Sequence, residues 1–183
     1  MRLRMTLLAT LFPLLSACAT LPHMPATLSD GTSHPATGVA PSQPVRQVEE
    51  RLGAGDLMPL TTLMSIDQQQ ISLNQSNQRK LVIFFGTTCH DSLRAFEKIL
   101  ASPLVKQRDL QIVGIGRDET VASLQKFATQ YQVPFPLVVD ADRAMYNQFT
   151  NVGIPRIVLV DENNKIVKSF LGEIPDVLTE IPW

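Results

Sequence analysis

Residues 84–92 read Phe-Phe-Gly-Thr-Thr-Cys-His-Asp-Ser, and the chemistry they can support is that of a sulfur nucleophile. A continuous apolar run, Leu81 to Phe85, leads into Cys89, and from Asp91 onward Leu93, Phe96 and Leu100 recur at helical spacing. Cys89 is therefore expected at a helix N-terminus, where unpaired backbone N–H groups and the positive end of the macrodipole favour the thiolate. A protonated His90 would add to that preference, and Asp91 would oppose it. Three residues after Cys89, where a second cysteine could attack a mixed disulfide, stands Ser92. Serine can hydrogen-bond to a thiolate but forms no stable link to sulfur. Cys89 can thus capture a partner sulfur, while its release needs an external thiol.

The chain has 183 residues and two cysteines, Cys18 and Cys89. Residues 1–17 have a signal-peptide layout: Arg2 and Arg4, an apolar stretch from Met5 to Leu15, then small residues. That stretch is too short to span about 30 Å of hydrocarbon. Leu15-Ser16-Ala17-Cys18 resembles the lipobox of bacterial lipoproteins. The resemblance implies lipidation at Cys18 and a cell-envelope location facing the periplasm. Ala19, in place of a retention aspartate, favours the outer membrane. With Cys18 lipidated, Cys89 is left as a lone thiol in an oxidising compartment.

Residues 18–45 hold Asp30 as their only charged residue and are rich in Pro, Ser and Thr. Such a segment buries too little apolar surface to offset its ordering entropy and reads as a flexible tether, on the order of 25–30 Å in reach. His23 and His34 are linker residues on this reading. The globular domain spans 46–183. With 16 Lys+Arg against 17 Asp+Glu and no long run of either sign, a nucleic-acid surface is unsupported. Outside the tether, no cysteine or histidine accompanies Cys89 and His90, too few soft ligands for a metal site. No cofactor is implied.

Along the domain, Val45, Val48 and Leu52 suggest a short helix, and residues 56–75 a hairpin-like entry. Strands follow at 80–85, 110–116 and 135–140. Helices are expected from Asp91 to about Pro103, over 119–131 with Val121, Leu124, Phe127 and Ala128 on one side, and over 141–149, where Met145, Tyr146 and Phe149 form a packing face. Residues 155–173 read as a hairpin turning at Glu162-Asn163-Asn164. The order β-α-β-α-β-α-β-β predicts an α/β fold with parallel pairing between helix-linked strands and an antiparallel edge.

With these elements in place, LVIFF, the Cys-x-x-Ser at a helix start, VGIG and NVGIPRIVLVDENNKIV resemble the thioredoxin fold. More narrowly, roughly residues 55–172 resemble the TlpA/ResA group of membrane-anchored thiol-disulfide proteins and the neighbouring peroxiredoxins. The resemblance implies a central mixed sheet flanked by helices, with Pro155 as the fold's cis-proline beside Cys89. It departs at Gly86-Thr87-Thr88-Cys89-His90-Asp91-Ser92, which replaces an aromatic pair and Cys-x-x-Cys, and at Ile154, where the group often has threonine. A short or missing last helix is a further departure.

Three functions stay open on this reading. The first is monothiol exchange with a protein or small thiol/disulfide substrate and an external reducing thiol. In it Cys89, Ser92 and Pro155 form the reactive centre, and Thr87, Thr88, His90, Ile154 and Arg156 contact substrate. The second is a non-catalytic binding or assembly module. The third is a one-cysteine peroxidase using Thr87, Thr88 and Arg156, although Gly86 stands where peroxiredoxins have threonine.

Overall fold

The computed structural model describes residues 48–172. The leader, the lipobox with Cys18, the tether and any helix after the final hairpin lie outside the described residues. A small antiparallel pair, β1 (Thr62–Met64) and β2 (Gln70–Ser72), precedes a five-stranded sheet. The sheet contains β3 (Arg79–Phe85), β4 (Leu110–Arg117), β5 (Leu137–Asp140), β6 (Arg156–Val160) and β7 (Ile166–Leu171) in the order β5-β4-β3-β6-β7. Helix α1 (His90–Ala101) joins β3 to β4, and α2 (Val121–Tyr131) joins β4 to β5. Both crossovers give parallel pairs, while β6 runs antiparallel to β3 and to β7. The expected α/β thioredoxin-like architecture is observed.

The sheet has a core on each face because β3 alternates its side chains. Leu81, Ile83 and Phe85 pack with Phe96 and Ile99 of α1 and Leu124 and Phe127 of α2. Val82 and Phe84 pack with Tyr146, Phe149, and Leu63 and Ile71 of the small hairpin. This double coverage explains the unbroken apolar run in β3.

Three local expectations are corrected. Residues 48–52 are not helical: Glu50 bridges Thr150 and the Arg51 N–H donates to Phe149 O at 2.8 Å, so the segment lies extended against the domain. The buried side of α1 is Ser92, Ala95, Phe96 and Ile99, with Leu93 and Leu100 only partly covered. The helix expected over 141–149 shrinks to a 3₁₀ turn at Tyr146–Gln148. There the buried Asp140 carboxylate accepts the Met145 and Tyr146 N–H groups at 3.0 and 2.8 Å, holding the chain in a tight turn.

Candidate functional site: a lone thiol at the end of the central strands

Parallel β3 and β4 bring their C-terminal ends together, and the loops leaving them build the site. Cys89 is the N-cap of α1, in extended backbone and partly exposed. Its thiol faces Ile154 O at 3.8 Å, a weak S–H contact. The Ile154–Pro155 bond is cis, as the fold resemblance implies. The Ile154 side chain also lies over Gly86, where a Cβ would sit 2.9 Å from Ile154 Cδ1 and would push the end of that side chain aside. The structure thus brings Cys89, Ile154 and Pro155 together.

Ser92 is 0% exposed, and its Oγ accepts the Gly86 N–H at 3.3 Å. No hydrogen bond joins it to Cys89. Its role in the fold is to tie the start of α1 to the end of β3. Thr87 is half-buried, while Thr88 and His90, on either side of Cys89 in the chain, are exposed. Asp91 is paired with Arg94 on the helix surface.

Arg156 is directed elsewhere. It lies in register with Phe84 on the sheet face opposite α1, and it is 3% exposed: its Nη2 pairs with Glu50 Oε1 at 2.6 Å and its Nη1 donates to Ser169 Oγ at 2.8 Å. It anchors residues 49–51 to the sheet and is not assembled with Cys89. The peroxide-binding constellation of Thr87, Thr88 and Arg156 is therefore not formed. Among the described residues no cluster of metal-ligating side chains occurs.

Two contributors escaped the sequence reading. Glu119 Oε1 accepts the Thr87 N–H at 2.7 Å, and its Oε2 accepts the Ser123 hydroxyl at 2.5 Å. The available signal was its position just beyond β4, at the same sheet end as Cys89. Tyr146, expected as core, uses its hydroxyl to reach the carbonyls of Val152 and Gly153. A half-open groove of about 390 Å³ borders Arg156, Glu50 and Leu171, and one of about 360 Å³ runs from Thr87 and Thr88 between α1 and α2 past Lys126 and Tyr131.

The chain resembles ResA thiol-disulfide oxidoreductases, with 22% identity to that of Bacillus cereus over 68% of this chain and 73% of the relative. Against the Bacillus subtilis (strain 168) protein the identity is 23%, covering 70% and 73%. Among solved structures, a candidate protein disulfide isomerase of Bacteroides thetaiotaomicron superposes with a TM-score of 0.63 at 25% identity, covering 68% of this chain and 82% of that one. A thiol-disulfide isomerase from Corynebacterium glutamicum gives 0.57 at 17%, covering 69% and 92%, a likeness of fold. The Redoxin family model matches residues 53–181, most of the globular part, and the chain belongs to the Redoxin family.

Proposed function

We propose that this protein carries out monothiol thiol–disulfide exchange through Cys89, on protein or small-molecule disulfides, at the membrane surface to which lipidated Cys18 tethers it. The Cys89 thiolate attacks one sulfur of a substrate disulfide, forming a mixed disulfide and releasing the other sulfur as a thiolate. An external thiolate then attacks the substrate sulfur, giving a new disulfide and regenerating Cys89, with no net oxidation. The observation that carries this reading is the contrast between two neighbours. Cys89 is partly accessible beside an open backbone edge, whereas Ser92 is fully buried and already engaged by Gly86. Thr88, His90 and Ile154 are the proposed substrate contacts, and Thr87 is held by Glu119 to shape the loop. The ResA relatives, named for thiol–disulfide chemistry, support the reaction class.

Intact-mass measurement of the full chain after glutathione disulfide tests it. One adduct is expected, removed by added thiol and missing in Cys89→Ser. If native protein stays unmodified while urea-unfolded protein reacts, the domain is a binding module. Sulfenate formed at Cys89 by one equivalent of peroxide would instead establish the peroxidase. Membrane retention of Cys18→Ala would sink the lipid anchor.

A further inference from the structure

We propose that Tyr146 is a positioning residue for the substrate-binding edge: its hydroxyl sets the Gly153–Ile154 peptide plane so that the Ile154 N–H is presented beside Cys89 to the backbone of a peptide disulfide. This rests on the exchange reading above and narrows its substrate class to polypeptide.

The geometry runs through one peptide unit. Tyr146 is 1% exposed, its ring is edge-on to Phe84 at 5.4 Å, and the Arg117 guanidinium lies 4.9 Å from its centroid. Its own N–H is held by Asp140, which fixes the backbone that carries the ring. The buried hydroxyl donates between the carbonyls of Val152, at 2.5 Å, and Gly153. A phenol so enclosed needs an acceptor, and these two carbonyls supply it. In a trans peptide the C=O and the following N–H point in opposite directions. Turning the Gly153 C=O inward therefore turns the Ile154 N–H outward.

A second line reaches the same edge. Ile154 precedes proline, which confines it to extended backbone, where N–H and C=O of one residue lie on one strand edge. The Ile154 C=O faces the Cys89 sulfur at 3.8 Å, so its N–H belongs to the Cys89 side. Among the described residues that N–H has no hydrogen-bond partner. Parts of the loop on either side are tied down: Asn151 to Glu49, Val152 N–H to Thr150 Oγ1, and Gly172 N–H to Pro155 O. Gly153 adopts φ +61°, a left-handed backbone conformation that favours glycine, and a Cβ there would meet Leu171 Cδ1 at 2.8 Å. Among the described residues the N–H groups of Gly153 and Ile154 are left unpaired, and of the two the Ile154 N–H lies on the Cys89 side, where an added strand would use it.

The test is Tyr146→Phe in the full-length protein in detergent, with Lys80→Met as a destabilised control away from the site. Rates of mixed-disulfide formation are measured with a disulfide-linked peptide pair and with hydroxyethyl disulfide, which has no peptide backbone. The expected result is a roughly tenfold loss with the peptide and less than about a twofold change with the small disulfide, the scale of one backbone hydrogen bond. The Ile154 amide resonance should shift in Tyr146→Phe and stay put in Lys80→Met. Equal slowing with both disulfides, no slowing with either, or an unmoved Ile154 resonance would overturn the proposal. Wild-type protein inert to both disulfides would sink the exchange reading instead, and the resonance alone would then decide whether Tyr146 sets the loop.

Discussion

The two ends of β3 treat their polar groups in opposite ways. At its start, Lys80 is 0% exposed, and its ammonium donates to Gln75 O at 2.7 Å and to Asn164 Oδ1 at 2.5 Å. The turn it grips is itself closed, because Asp161 Oδ1 accepts the Asn163 and Lys165 N–H groups. At the other end, Cys89 is partly open and the Ile154 N–H is unpartnered among the described residues. Buried polar groups cost stability unless they are paired, so the Lys80 end is closed to chemistry. A reactive site needs groups left unspent, and only the Cys89 end has them.

Ser92→Cys would break that contrast most strongly. It supplies the missing second sulfur beneath Cys89 at the cost of a long hydrogen bond to Gly86. Mixed disulfides on Cys89 should shorten in lifetime by at least about tenfold, with an internal disulfide appearing by mass. An unchanged lifetime would mean that position 92 is too enclosed to act.

Lys80→Met should leave exchange at Cys89 intact and cost about 1–3 kcal/mol, read by urea unfolding, because two acceptors lose their donor. The pH response has a definite sign. Burial pushes the Lys80 ammonium below the ordinary lysine value of 10.5, against the opposing pull of Asp161. Below that value the folded state therefore binds this proton less tightly than the unfolded chain. As pH rises from the depressed folded value toward the ordinary one, wild type should gain stability relative to Lys80→Met. A gap that narrows over this window would contradict the burial argument.

Gly86→Ala places a methyl against Ile154 Cδ1 and should slow exchange by about threefold to tenfold, of order 1 kcal/mol for a forced local shift. Its unfolding midpoint, compared with that of Lys80→Met, separates loop displacement from general destabilisation. The smallest effect is expected from Asp118→Asn. A hydrogen bond from Arg143 holds the Asp118 carboxyl below its usual 3.8, so the pair contributes above the usual value and is lost as pH falls through the folded one. Both partners are more than 40% exposed, which limits the effect at pH 7 to about 0.5 kcal/mol or less, measurable by chemical unfolding at low salt.

Much of the fold was legible locally. Strand β3 shows in its apolar run, α2 in its periodicity, and the last hairpin in the Asn-rich turn, where Asn164 takes φ +63°. The errors fell where distant partners override local pattern. Val48 and Leu52 have helical spacing, yet their segment is drawn extended by Thr150 and by the Glu50–Arg156 pair. On α1 the apolar spacing of Leu93, Phe96 and Leu100 caught Phe96 but only the rim of the buried side, whose centre includes Ser92, bonded to Gly86.

What the sequence determined by itself is the candidate site: a cysteine opening a helix after a buried strand, a serine in place of a second cysteine three residues on, and a Gly-Ile-Pro segment before another strand. These are properties of neighbours along the chain, set by periodicity, capping and proline geometry. Only the tertiary structure decided which charged and polar side chains serve that centre. Arg156 left it for Glu50, 106 residues away, while Glu119 and Tyr146 joined it through the loops at Thr87 and Gly153. The physical reason is that a side-chain hydrogen bond depends on where two backbones cross in space, and residue type and local spacing do not carry that information.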